Sequence, residues 1–183
     1  EAVYTFAVAY KHKQDVKYAK AAVRLGNWLV SLQMQSGAWN EDWPAPTGWD
    51  GTTADQLISL ANAYVILKAQ LTPQEDGAWT GSITRAADWI QANFPKGNIN
   101  YVPTGAVALL SASRALPNPK ASWLTKADSL MAQTVAAING DDLLTGEGNG
   151  VDLGYNIAQS IGFIAMYGRM LPSPPHVDAA GAA

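Results

Sequence analysis

Apolar positions along the chain fall into two kinds of segment. Thr52–Gln70, Pro103–Leu116 and Leu153–Leu171 are apolar on nearly every side, which predicts helices buried all round. Between them the pattern is one-sided. Through Gln14–Gln33 the polar residues Lys13, Lys17, Lys20, Arg24, Asn27 and Ser31 recur at steps of four and three, while Val16, Ala19, Val23, Gly26 and Val30 fill the opposite face. Ser82–Asn93 repeats the arrangement with Ile83, Ala87, Ile90 and Phe94 inward, and Lys120–Ile138 does so through Leu124, Ala127, Met131, Val135 and Ile138. These three are predicted surface helices. Glu1–Lys11 reads as the end of a further buried helix.

The order is therefore buried and surface in alternation. The complete buried helices begin near residues 52, 104 and 154, a period of about 50 that marks repeated helical hairpins. Two concentric layers account for it: an inner layer covered on both sides, and an outer layer with one wet face. A plain bundle would make every helix amphipathic. The expectation is an all-α stack of about three and a half hairpins over residues 1–171. The Pro-, Ala- and Gly-rich stretch 172–183 is expected to be a tail or linker.

Composition narrows the function classes. Charged residues are 15% of the chain, below the ~25% usual for soluble domains, so much of the surface is expected to be covered by protein or ligand. Net charge is −3 with no run of basic residues, which argues against nucleic acid or a membrane surface as partner. No apolar stretch reaches the ~18 residues that span a bilayer. The absence of cysteine removes disulfides, thiolate metal sites and a Cys nucleophile together. The chain opens at Glu1 with no signal-peptide pattern; a secreted or periplasmic protein whose signal lies outside this chain is expected.

At the end of the first surface helix, Gln33-x-x-x-Gly37-x-Trp39 resembles the QW motif of terpenoid cyclases, which are α/α toroids. Each residue type suits a helix joint: Gln bonds orphan carbonyls, Gly takes the left-handed position, and Trp closes the gap. Gln74-Glu75-Asp76-Gly77-Ala78-Trp79 echoes the motif loosely and is set aside. The arrangement is also similar to the toroids of six-hairpin glycosidases and polysaccharide lyases. That likeness is carried by Ala9-Tyr10-Lys11-His12-Lys13-Gln14-Asp15-Val16-Lys17-Tyr18 and by Asp152-Leu153-Gly154-Tyr155-Asn156. The resemblance implies a partial toroid and a carbohydrate-active role. Since those families have six hairpins, it implies as partner either the rest of a larger toroid or a self-associated copy. The Asp-x-Asp-Asp acid of triterpene cyclases is absent, so cyclase activity is not implied.

In hairpin repeats the outer-to-inner corners share one face. Here these are 35–55, 95–103 and 139–156, which hold eight of the fifteen acidic residues and one of the twelve basic ones, Lys96. Carboxylates with aromatic platforms fit a sugar polymer. The expected platforms are Trp39, Trp43, Trp49, Tyr101 and Tyr155, with Asn156 beside them. Glycoside hydrolysis needs two carboxyl groups flanking the bond, and the acid/base candidates are Asp50, Asp55, Asp142 and Asp152, then Glu41. The competing reading makes Asp50 and Asp152 helix caps. Asp141-Asp142 is an adjacent pair, similar to catalytic aspartates of some toroid α-mannanases.

Two further readings stand beside hydrolysis. Toroid lyases that eliminate from uronic acids use a Tyr with an Asn and commonly a His, which points to Tyr155 and Asn156. His12 and His176 lie away from them, and the acidic face lacks a cation for the uronate. The other reading is a non-catalytic toroid module that binds glycan or scaffolds an assembly. No metal or cofactor is expected; Asn139–Glu147 offers Ca2+ oxygen ligands, but its spacing departs from Asp-x-Asp-x-Asp-Gly. A phosphate loop and a Gly-x-Ser-x-Gly elbow are both missing.

Overall fold

The computed structural model describes residues 2–39, 50–95, 98–146 and 150–171. They form helices α1 (Ala2–Lys13), α2 (Val16–Ser31), α3 (Asp50–Leu67), α4 (Pro73–Asn93), α5 (Tyr101–Ala115), α6 (Ala121–Ala136), α7 (Leu153–Tyr155) and α8 (Ile161–Met170). A 3-10 turn, Lys68–Gln70, ends α3, and a π-helical turn, Asn156–Ser160, joins α7 to α8. Among the described residues there is no strand, only an isolated bridge between Ile138 and Leu144.

The helices form two layers. In the inner layer α1 packs on α3, α3 on α5 and α5 on α8; in the outer layer α2 meets α4 and α4 meets α6. Each outer helix also packs on an inner one. The chain is thus a toroid-like stack of helical hairpins, as its alternating pattern predicts. The central inner helix carries the pattern furthest: every residue from Val102 to Ser113 is buried. Gly105 is what admits it, since a Cβ there would lie 2.4 Å from the Phe94 ring.

Local signals set the ends. Gln14 turns α1 into α2 at φ 55°, and Asp15 caps α2 by accepting from the Lys17 N–H at 3.0 Å. At α4 the Thr72 hydroxyl and the Glu75 carboxylate form a reciprocal capping box, with Pro73 at the first position. That box starts the helix nine residues before the Ser82 boundary expected from apolar periodicity. The stretch 74–79 is therefore helical, and Trp79 is fully buried.

Polar links tie layer to layer. The Gln33 amide donates to the Gly37 and Ser82 carbonyls at 2.8 and 3.0 Å and accepts from Arg85. It fastens the end of α2 to α4, with Gly37 at φ 98°. The buried indoles Trp79 and Trp123 donate to Asn27 (2.8 Å) and Asp88 (3.0 Å), each on the preceding outer helix. The phenols of Tyr64 and Tyr167 reach outward to Asp76 (2.8 Å) and Asp128 (2.6 Å). A buried donor left without a partner costs ~1–3 kcal/mol, so these pairings fix which outer side chain faces which inner one.

Two expectations of all-round burial need correction, the first being α1, which buries only Val3 and Ala7. Leu153–Leu171 is apolar on all sides but is not buried on all sides: Leu153 is 57% exposed and Ile157 74%, with Tyr155 and Ile161 also exposed. An inner helix is covered on both flanks only when it has an inner neighbour on each. The last one has its main inner-layer packing along α5.

Candidate functional site

The inner helices converge on a cavity of about 180 Å³. Tyr4 and Thr5 enter it from the first turn of α1, Asp55, Ile58 and Ser59 from α3, and Phe163 from α8. Asp55 and Ser59 are one helical turn apart and so share a face. Ser59 is 4% exposed and its hydroxyl has no hydrogen-bond partner. A cavity with two aromatic rings, a carboxylate and two hydroxyls suits a sugar ring: rings cover C–H faces, and oxygens meet hydroxyls. Among the described residues, its lining holds no Arg, Lys or His.

Of the expected acids, Asp55 alone is placed here. Glu41 lies outside the described residues, as do Trp43 and Trp49; Asp50 opens α3, and its side chain is outside the described atoms. Asp152 caps α7, accepting from the Tyr155 N–H at 3.0 Å, which is the competing reading. Asp142 sits at φ 58° in an exposed turn built around Asn139, whose Oδ1 accepts from the Asp141 and Leu143 N–H groups, both at 3.0 Å. Among the described residues no three His, Cys, Asp or Glu gather as a metal cluster.

Two expected contacts with substrate are corrected. Trp39 cannot offer a platform: it is 3% exposed, its indole N–H donates to the Leu29 carbonyl at 2.9 Å, and its backbone N–H and carbonyl bond the Thr53 hydroxyl. Asn156 is buried and fully engaged. Its Oδ1 accepts from the Leu144 N–H at 2.7 Å, while Nδ2 donates to the Leu144 carbonyl (3.0 Å) and the Asp152 carbonyl (2.9 Å). It is the clamp that pins the third corner to the inner layer. Tyr155 is exposed at that rim, and Tyr101 is half-buried at the start of α5.

The second and third corners do meet. The Asn100 amide donates to Gln159 at 3.1 Å, and Ile99 lies against Gly146. Tyr64 and Tyr167 do not line this cavity and serve as ties between layers. Burial first, and then the hydrogen bond to Asp76, push the Tyr64 phenol up to about 12; burial and Asp128 push Tyr167 up as well. Tyr4, Thr5, Ser59 and Phe163 were not singled out from sequence. A usable signal existed for one of them: a hydroxyl at i+4 from Asp55 on an otherwise apolar helix.

A family model described as the ulvan lyase N-terminal domain matches residues 1–175. A broad-specificity ulvan lyase from Formosa agariphila (strain DSM 15362) is 30% identical over 184 residues, covering 91% of this chain and 28% of the relative. The chain thus spans 28% of the length of the relative it matches. No solved structure matches.

Proposed function

The chain belongs to the ulvan lyase N-terminal domain family, and we propose that it forms the helical, sugar-binding part of a polysaccharide lyase. Its substrate is an acidic polysaccharide outside the cell, cleaved by β-elimination. The supporting observation is the inner-helix cavity, where Tyr4 and Phe163 flank Asp55 and the unpartnered Ser59 hydroxyl. Elimination needs a base for the proton α to a uronate carboxylate, an acid for the departing glycosidic oxygen, and a group that steadies the charge of the intermediate. In this reading the Tyr4 phenolic oxygen takes the proton α to the uronate carboxylate, and the C–O bond to the leaving sugar breaks as the C=C bond forms. The same group returns the proton to the departing oxygen, while Asp55 and Ser59 hold sugar hydroxyls.

The preference for hydrolysis gives way. The relative's printed name describes a lyase, Asp152 is spent as a cap, and among the described residues the cavity holds one carboxylate where an acid/base pair would need two. A binding role remains the second reading, because the chain matches 28% of the relative and the chemistry can be shared with residues beyond that match.

The test is incubation of the chain with ulvan, following the ultraviolet absorbance of unsaturated products beside reducing ends. Elimination predicts both signals together, with Tyr4→Phe losing turnover while polymer binding persists. Reducing ends without unsaturation would restore hydrolysis. Binding with neither signal would favour the binding role.

A further inference from the structure

We infer that the outward face of α2 is a second polysaccharide-binding surface, separate from the inner cavity, which takes an acidic polymer chain. The inference rests on the reading that the substrate is an acidic polysaccharide, and it adds a site that reading does not require. Charge along the chain is uneven. Residues 11–24 hold five cations (Lys11, Lys13, Lys17, Lys20, Arg24) against Asp15, a net +4 in a chain of net −3, so the remaining residues carry −7 together. An otherwise acidic molecule thus concentrates positive charge on one hairpin, where an anionic polymer is attracted.

The geometry on α2 is more specific than the charge. Lys20, Arg24 and Trp28 stand at i, i+4 and i+8, successive turns of one helix face spaced by ~6 Å. Trp28 is 61% exposed, whereas Trp39, Trp79 and Trp123 are buried. Among the described residues the side chains of Lys20 and Arg24 make no ion pair or hydrogen bond; Lys17, by contrast, is held by Asp15 at 2.9 Å. Beside the ladder runs a groove of about 400 Å³ lined by Lys20, Val23, Arg24, Asn27, Gln70 and Glu75 among others. The Glu75 carboxylate also borders the groove and makes no ion pair with either cation, being hydrogen-bonded to the Asn27 amide (2.7 Å) and to the Thr72 N–H and hydroxyl, so two cations against one carboxylate leave the lining net positive.

A solvated outer face accounts for Lys20 and Arg24 but not for a mostly bare indole one turn further on. A linear acidic glycan accounts for all three. A guanidinium and an ammonium meet successive anionic groups, Arg in a bidentate fork, and the indole face covers the C–H side of a sugar ring. Gln70 supplies an amide for hydroxyls along the groove wall. The surface would hold the polymer on the molecule between encounters with the cavity.

The experiment is native affinity electrophoresis of the chain through gels containing ulvan or, in parallel, neutral starch. The wild type should be retarded by ulvan and not by starch, with retardation falling as salt rises. Lys20→Gln with Arg24→Gln, and separately Trp28→Ala, should each weaken retardation by at least about tenfold, the size expected of central contacts. Lys126→Gln on α6 should leave it unchanged, and all variants should keep the far-ultraviolet dichroism of the wild type. Unchanged retardation of the α2 variants, equal retardation by starch, or a loss shared by the Lys126 variant would overturn the inference. Self-association of the wild type that the α2 variants abolish without altering ulvan retardation would overturn it too. Mobility does not report turnover, so missing unsaturated products with these results intact would sink the elimination reading alone.

Discussion

Replacing Gly26 by alanine tests whether close approach of the outer helices sets the stability of the first joint. A Cβ at Gly26 would lie 2.0 Å from Cζ2 and 2.4 Å from Cη2 of Trp79. These ring atoms cannot swing away cheaply, because Trp79 is fully buried and its indole is tied to Asn27 at 2.8 Å. Overpacking a fixed core group costs ~1–3 kcal/mol, and pushing the ring off Asn27 forfeits a further ~1 kcal/mol. Against this, alanine gains ~0.5–1 kcal/mol over glycine inside a helix. The balance is a loss of about 1–3 kcal/mol, and at roughly 2–4 °C per kcal/mol for a domain of this size the melting temperature should fall by about 2–12 °C. Thermal unfolding followed by circular dichroism reads it. Gly77→Ala is the internal control, since nothing lies within 4 Å of its Cβ position in α4; helix propensity alone should leave it neutral or stabilised. A Gly26→Ala protein as stable as Gly77→Ala would refute the packing argument.

Asn156→Asp places an acceptor where Nδ2 now serves the Leu144 and Asp152 carbonyls; stability should fall by about 2–4 kcal/mol, with amide exchange in 139–146 rising most. Glu75 has its carboxyl held below the usual range, first by the Thr72 N–H and then by the Asn27 amide. Its contribution is therefore present above the unfolded value near 4.5 and lost as pH falls through the lower folded value. Acid titration of the melting temperature should show a steeper fall below that point in the wild type than in Glu75→Gln. Tyr167→Phe removes the 2.6 Å bond to Asp128, and with that carboxylate exposed the cost should be about 1 kcal/mol, read by chemical denaturation.

The two-layer fold was legible because layer membership is written in periodicity: Val102–Ser113 has no polar side and is buried throughout, and Lys17, Lys20 and Arg24 mark a wet one. Periodicity could not place the start of α4. Thr72 and Glu75 decide it by a cap that outweighs the weak apolar pattern of 74–81. Nor could it foresee Ile157 at the surface, since burial depends on how many neighbours a helix has, and that is a property of the assembly of helices. The site was less legible for a related reason. Tyr4, Asp55 and Phe163 meet only because α1, α3 and α8 converge, and no local pattern connects them. Asn156 and Trp39 were rightly noticed as unusual, but polarity or aromaticity at a corner does not say whether the group is consumed by the protein's own backbone.

The indole joints have a consequence for how the molecule comes apart. Each outer helix after the first hands its N–H to the one before it, so cohesion passes from neighbour to neighbour as in a row of leaning books. Loosening at one joint should therefore be felt at the next, from that of Trp79 on α4 to that of Trp123 on α6.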